Sequence, residues 1–289
     1  MRRSRRCFLL STASALGVSP LLFNQPLFAA APAKLRLGAC DWSLRVNGPE
    51  ALATGKKLGL DGVEISPGPP ADTLAIATPE TQAAYKQAEQ ETGVKVSSIA
   101  LGLLNDNPLA TDPRAPAWLE QAIATAKALD APVILVAFFG KGDLLEGTAI
   151  KAKEMDAAVE RIKAAARLAE KAGVTLGLEN YLSANDNLAM LDRIQSNAVR
   201  VYYDVCNSTN KGYNVPEELR MLKDLVCQIH LKDNKALLGQ GDVDMPGVHD
   251  ALEAIEYKGW LILETPILNN DMMGSFSKNA LYSRNLFGI

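Results

Sequence analysis

The sequence predicts an α/β fold, a closed parallel barrel of eight strand–helix units, (β/α)8, in a single domain. Three observations predict it. Amphipathic helical stretches alternate with short apolar runs along most of the chain, and alternation at this length implies right-handed crossovers and a parallel sheet. Eight such units fit into about 256 residues once the N-terminal stretch is set aside, the usual size of a one-domain barrel. The competing fold is an open, doubly wound sheet, which normally has a Gly-rich phosphate turn after its first strand. Here that position reads Ala39-Cys40-Asp41-Trp42.

Each unit is legible from its punctuation. Residues 35–40 make the first strand, ending at Asp41-Trp42-Ser43. A helix over 49–58 leads through Gly59 and Gly62 into a second strand at 63–65. Thr78-Pro79 is an N-cap with Pro at the first helical position. That helix runs to about residue 91, and Gly93 turns it into strand three, 94–100. A long loop, 102–116, precedes a helix whose Leu119, Ala122, Ile123 and Ala126 share one face. Pro132 opens strand four, 133–138. The helix over 150–172 puts Val159, Ile162, Ala166 and Ala169 on a core-facing stripe. Gly173 stops it, and strand five covers 174–178. A helix including 188–194, strand six at 199–203, a helix at 216–222, strand seven at 226–229 and a helix at 248–256 lead to strand eight, Trp260 to Leu263. Beyond Glu264 the sequence reads as short and irregular, with an eighth helix truncated or displaced.

Residues 1–33 read as an export signal. Arg2, Arg3, Arg5 and Arg6 precede a moderately apolar run from Cys7 to Phe28, and Ala29-Ala30-Ala31-Pro32-Ala33 supplies the small residues of a cleavage region. Ser4-Arg5-Arg6-Cys7-Phe8-Leu9 resembles a twin-arginine signal, which implies the twin-arginine translocation machinery as a partner and a periplasmic address. Cleavage is placed after Ala33, because cleavage after Ala31 would leave Pro32 at the new N-terminus. The domain is then 34–289. No other apolar run is long enough to span a bilayer, so no stable membrane anchor is expected after cleavage.

Removing the signal takes away four arginines and no acid, and the formal net charge moves from −3 to −7. An acidic chain without a basic cluster is a poor nucleic-acid binder. With 48% hydrophobic and 22% charged residues, disorder is excluded. Cys40, Cys206 and Cys227 remain, an odd number at irregular spacing, so they read as small buried residues rather than as a disulfide framework or as ligands.

Four of the predicted strands end in side chains that can hold a metal: Glu179, Asp204, His230, which is one of only two histidines, and Glu264. Alone, each is ordinary, since a carboxylate after a strand is most often a cap and a lone His a structural group. Their position changes this, because strands five to eight are consecutive and their C-terminal ends meet on one side of a barrel mouth, where such folds place chemistry. Three carboxylates and one imidazole make a mixed oxygen and nitrogen site. The set suits a divalent metal, Mn²⁺ first, with Mg²⁺, Co²⁺ or Zn²⁺ compatible, and the lack of a thiolate argues against a closed structural zinc site.

The runs Gly177-Leu178-Glu179-Asn180, Tyr203-Asp204, Ile229-His230-Leu231-Lys232-Asp233-Asn234, Gly239-Gln240-Gly241-Asp242-Val243-Asp244 and Tyr257-Lys258-Gly259-Trp260 through Glu264 resemble the sugar phosphate isomerase/epimerase superfamily. This is the xylose isomerase-like TIM barrel group that also holds ketose 3-epimerases and inosose dehydratases. The resemblance implies that Glu179, Asp204, His230 and Glu264 ligate the metal and that Glu179 and Glu264 double as acid and base. Asn207 stands where ketose 3-epimerases have a His, Ser183-Ala184-Asn185 replaces a second Glu, and an expected Arg after the His is missing, with Lys232 and Lys235 the nearest cations. With only two histidines the chain does not fit the three-zinc DNA-repair endonuclease branch.

Lys232 is read as a catalytic cation that polarises a carbonyl or steers an anion, or else as a salt-bridge partner of a rim acid. Asp41, Trp42, Glu64, Asn180, Asn207 and Asn234 are read as substrate contacts. Trp42 and the Phe138-Phe139 pair can face a sugar ring, while Trp260 reads as packing. His249 reads as a surface helix residue, and Gly239-Gln240-Gly241 as a tight turn rather than a phosphate cradle. Abstraction of a proton beside a carbonyl gives an enediolate, whose charge a divalent ion stabilises. Isomerisation, epimerisation and β-elimination share that intermediate. The first expectation is therefore an isomerase or epimerase acting on a sugar or keto-sugar. The alternatives are a lyase or dehydratase eliminating from a keto-sugar, 3-keto-glycoside or inosose, and a periplasmic sugar-binding barrel without turnover.

Overall fold

The computed structural model describes residues 34–289; the expected signal, 1–33, lies outside them. The described residues form a closed barrel of eight parallel strands: β1 Arg36–Cys40, β2 Gly62–Ile65, β3 Lys95–Leu101, β4 Val133–Ala137, β5 Thr175–Glu179, β6 Val199–Asp204, β7 Val226–Leu231 and β8 Trp260–Leu263. Each strand pairs with the next in sequence, and β8 closes on β1 with Arg36 opposite Trp260. Helices α1 Glu50–Lys57, α2 Pro79–Thr92, α3 Ala115–Ala128, α4 Ala152–Ala172, α5 Ala184–Ile194, α6 Val215–Leu222, α7 Met245–Ala254 and α8 Met272–Phe287 follow the strands.

The helix punctuation follows residue chemistry. Thr78 caps α2, accepting from Thr81 N, and Gly93 ends it at φ 76°; Gly173 ends α4 at φ 73°. The stripe of Val159, Ile162, Ala166 and Ala169 is buried against the sheet, as its 3–4 spacing dictates. The segment after Glu264 departs from expectation. After a short loop it forms the 16-residue α8, capped by Asp271 accepting from Gly274 N, with Phe276, Ala280, Ser283 and Phe287 buried. That spacing carries a helical period, which the irregular loop before it obscures.

Two layers fill the space around the sheet. Between sheet and helices lies the large apolar core. Inside the barrel, inward positions carry Ala100, Val133, Leu135, Ala137 and Tyr202 on one side and Cys40, Trp260 and Ile262 on the other. Trp260, 3% exposed, packs in this interior. It fits because Gly62 faces it: a Cβ there would lie 2.6 Å from the indole.

Strand register is irregular at two points, and both bear on the site. Between β2 and β3 the pairing shifts at Val63/Glu64, so that Glu64 sits opposite Ser98. Between β6 and β7 it shifts at Val201/Tyr202, placing Tyr202 opposite Gln228. Such irregularities re-aim side chains, and here they bring polar groups to one level of the barrel interior. Cys40, Cys206 and Cys227 are all free thiols. No helix among the described residues is long and apolar enough to cross a membrane.

Candidate functional site

Glu179 ends β5, Asp204 ends β6, His230 lies one residue before the end of β7, and Glu264 follows β8, its N–H donating to Leu231 O. Because register neighbours advance together around the barrel, with Asp204 opposite His230 and Ile262 opposite His230, the four side chains arrive at one depth. One ligand atom from each lies within 4.8 Å of the others. Glu179, Asp204 and His230 are buried, and Glu264 is 23% exposed at its side chain.

The imidazole is held from both sides. Its Nδ1 lies 2.8 Å from Glu179 Oε1 and 3.7 Å from Glu264 Oε2, and its Nε2 lies 2.7 Å from Glu64 Oε2. Glu64, fully buried, also accepts from Ser98 Oγ at 3.1 Å and Tyr202 Oη at 3.0 Å. Behind these, Gln228 Nε2 donates to Ser98 Oγ and to Tyr202 Oη. Glu64 is placed to accept from Nε2–H, while Nδ1 meets Glu179 Oε1 through a proton that a bound metal ion would replace. This is the arrangement by which an outer carboxylate orients a histidine that binds metal.

Asp204 shows the same division of labour. Its Oδ1 accepts from Cys206 N and Asn207 N, both at 2.8 Å, capping the short helix Val205–Asn210. Its Oδ2 is buried and meets the Lys232 ammonium at 2.9 Å. Lys232 Nζ also donates to Glu264 Oε2 at 2.7 Å. A cation lodged between two buried or half-buried carboxylates marks a place built for positive charge. Three carboxylates and one neutral nitrogen suit a divalent ion, and these residues can hold one.

Electrostatics in the cluster follow from burial and neighbours. Burial pushes the Glu179 carboxyl up to about 7, against the pull of His230. Burial also raises Asp204, opposed chiefly by Lys232. At Glu264 the upward push of burial is outweighed by His230 and Lys232, which bring it down to about 2. Burial would lower His230, but Glu179, Cys40, Glu64 and Glu264 raise it well above its ordinary value. Lys232 is likewise raised by Asp204 and Glu264 against its burial. Cys40, Glu64 and His230 form a second group of close donors. There, however, Glu64 and His230 are bonded directly, and burial raises the Cys40 thiol well above its usual range, so these side chains make a hydrogen-bonded support.

A cavity of about 380 Å³ opens beside the cluster and is lined by Glu179, Glu264, Trp42, Phe139, Ser66 and Asn105 among others. Trp42 stands at its edge, with Nε1 donating to Glu264 Oε1 at 3.2 Å. Phe139 lines the wall and packs edge-on against Tyr181 at 4.7 Å, whereas Phe138 is buried in the outer core.

The other residues expected as substrate contacts are not among those that line the cavity, and each has local partners. Asp41 is 1% exposed and accepts from Ser66 N at 2.7 Å and Ser66 Oγ at 2.6 Å, tying the end of β1 to that of β2. Glu64 lies beneath His230 rather than on the wall. Asn180 exchanges hydrogen bonds with Asn187 and accepts from Leu182 N, bracing the entry to α5. Asn207 gives its N–H to Asp204. Asn234, at φ 47°, accepts from Asn210 Nδ2 and Cys206 Sγ. Asp233 instead gathers the glycine turn, accepting from Gly239 N, Gly241 N and Val243 N. Sequence reading missed Ser98, Tyr202 and Gln228. The signal available was a polar group two residues before Asp204 and before His230, on the same inward face.

A family model described as xylose isomerase-like TIM barrel matches residues 52–283. Among characterised proteins, the chain is similar to a 2-epi-5-epi-valiolone 7-phosphate 2-epimerase of Actinoplanes sp. (strain ATCC 31044 / CBS 674.73 / SE50/110). The two are 27% identical over 230 residues, covering 76% of this chain and 82% of the relative. Among solved structures it superposes on a D-psicose 3-epimerase with a TM-score of 0.74 at 18% identity, covering 88% of this chain and 100% of that one. It also superposes on the 3-keto-D-glucoside 4-epimerase YcjR of E. coli with a TM-score of 0.72 at 16% identity, covering 87% and 100%.

Proposed function

The chain belongs to the xylose isomerase-like TIM barrel family, and from that premise we propose that it is a divalent-metal-dependent sugar isomerase or epimerase that moves a proton at a carbon next to a carbonyl. One observation carries the proposal: Glu179 and Glu264 both belong to the four-residue cluster and both line the cavity. Carboxylates that share an ion site and a substrate space can act on the substrate that reaches it. A divalent ion held by Glu179, Asp204, His230 and Glu264, Mn²⁺ first, would supply Lewis-acid stabilisation of the negative charge that develops on the sugar oxygens.

The chain's own residues divide the remaining work. Glu179 and Glu264 remove the proton from one face and return one on the other. Glu64 is a positioning residue, fixing the His230 ring through Nε2. Lys232 holds Asp204 and Glu264 in place. Trp42 fixes Glu264 Oε1 and presents its ring to the sugar. Epimerase relatives support sugar chemistry, and their names include both a phosphorylated substrate and an unphosphorylated one. Export through the twin-arginine pathway to the periplasm is part of the proposal.

The test is deuterium exchange from solvent into a panel of keto-sugars and 3-keto-glycosides, with Mn²⁺ supplied and then chelated. Exchange that depends on the metal and falls at least about a hundredfold in Glu264→Gln supports the assignment. Product analysis then separates epimerisation from elimination. Exchange by Glu264→Gln at the parent rate would end it.

A further inference from the structure

We infer that the cavity takes an uncharged sugar or glycoside, one that carries no phosphate. The inference rests on the proton-transfer function proposed above and narrows its substrate class. Ala100, Leu103, Leu135, Ala137 and Phe139 give the wall an apolar face, with Trp42 beside them. Its ionisable members are the carboxylates Glu179 and Glu264, and among the described residues no lysine or arginine lines it. With those two carboxylates committed to the ion, a phosphate ester would bring close to two negative charges against a wall that is otherwise hydrocarbon and neutral polar groups. Phosphate sites offset that cost with Arg or Lys side chains, or with free backbone N–H groups.

The cations closest along the chain to lining residues, or packed against their neighbours, each have a partner already. Lys232 is clamped between Asp204 and Glu264 at 2.9 and 2.7 Å. Lys141 pairs with Asp106 at 3.5 Å in solvent. Lys211 lies over the Tyr181 ring at 5.2 Å, and Arg45 Nη1 donates to Asn270 Oδ1. Two backbone donors of the wall are also committed, Ser66 N to Asp41 Oδ2 at 2.7 Å and Phe139 N to Asn105 Oδ1 at 3.0 Å. Asp41, placed away from the cavity, thus acts on specificity indirectly by occupying both the N–H and the hydroxyl of Ser66. What the wall does offer is aromatic and apolar surface for the C–H faces of a neutral sugar, in a volume at the small end of the range for small-molecule sites.

The experiment uses the Mn²⁺-loaded protein and matched pairs: ketopentoses, ketohexoses and a 3-keto-glucoside, each beside its phosphate ester. Solvent deuterium exchange gives kcat/KM, and calorimetry gives binding for the same pairs. The unphosphorylated member is expected to exceed its ester at least about tenfold in both readouts. Leu103→Lys, which puts an ammonium on the wall, is expected to improve ester binding about tenfold. Binding or exchange of an ester equal to or better than that of its free partner overturns the inference while leaving the proton-transfer function intact. Binding of free sugars without exchange for any compound upholds the inference and sinks the proposed function. Absence of binding by every free sugar sinks the inference.

Discussion

Replacing Glu64 by Gln tests the link between the barrel interior and the cluster. The carboxylate accepts from His230 Nε2 at 2.7 Å, Tyr202 Oη at 3.0 Å and Ser98 Oγ at 3.1 Å. Gln is close in shape and keeps one oxygen for Nε2–H. That oxygen, at the Oε2 position, also keeps Tyr202 Oη, and the NH₂ at the Oε1 position faces Ser98, whose hydroxyl can rotate to accept. The stability cost is therefore small, roughly 1–2 kcal/mol, and the variant folds. What it loses is the negative charge that makes His230 a stronger donor. Outer partners of this kind are worth about 10–100-fold in metal affinity, or roughly 1.4–2.7 kcal/mol. Calorimetric titration of the metal-free protein with Mn²⁺ should show a loss of at least about tenfold in Glu64→Gln. Tyr202→Phe serves as a control, because it removes one donor to Glu64 and leaves the Glu64–His230 bond, so its affinity should stay within about threefold of the parent. Parental affinity in Glu64→Gln, or equal losses in both variants, would refute the orienting role.

Three further outcomes follow from the same geometry. Lys232→Met leaves the Asp204 and Glu264 carboxylates facing each other without their ammonium. The metal-free variant should lose on the order of 3 kcal/mol, roughly 6–10 °C in melting temperature, with added Mn²⁺ recovering most of it; an unchanged melting temperature contradicts this. Asp41 is raised from 3.8 to about 6 by burial, against its Ser66 hydrogen bonds. A folded value above the unfolded one means that the folded state binds the extra proton, so its contribution is present at low pH and lost as pH rises through about 6. Between pH 7 and pH 4 the parent should therefore gain roughly 2 kcal/mol on Asp41→Asn, measured by urea unfolding; parallel pH curves refute it. Asp233→Ala strands the N–H groups of Gly239, Gly241 and Val243. It should cost roughly 3 kcal/mol and speed amide exchange at those positions, and unaltered exchange there removes the anchoring role.

The barrel was legible because its strands are short apolar runs bounded by Gly, Pro and polar residues, and because parallel strands buried on both faces need no finer pattern. The cluster was legible because strand ends on consecutive strands share a rim. Glu64 was not, since its partner His230 lies 166 residues away and only closure of the barrel, with the register shift at Val63/Glu64, brings them together. Asn180 and Asn234 looked equally suited to substrate, but short polar side chains at strand ends also bond protein neighbours, Asn180 the backbone of its own turn and Asn234 the side chains of Asn210 and Cys206 on the short helix after β6. The α8 helix was obscured because the loop at Asn269 and Asn270, both at positive φ, interrupts the pattern just before a helical period resumes.

The most direct measurement is an anomalous difference map from crystals soaked in Mn²⁺. A single strong peak is expected at roughly 2.0–2.3 Å from oxygens of Glu179, Asp204 and Glu264 and from His230 Nδ1, with Lys232 Nζ displaced from Asp204. Peaks only at surface acids, or none among these four side chains in a protein that exchanges substrate protons, would contradict it.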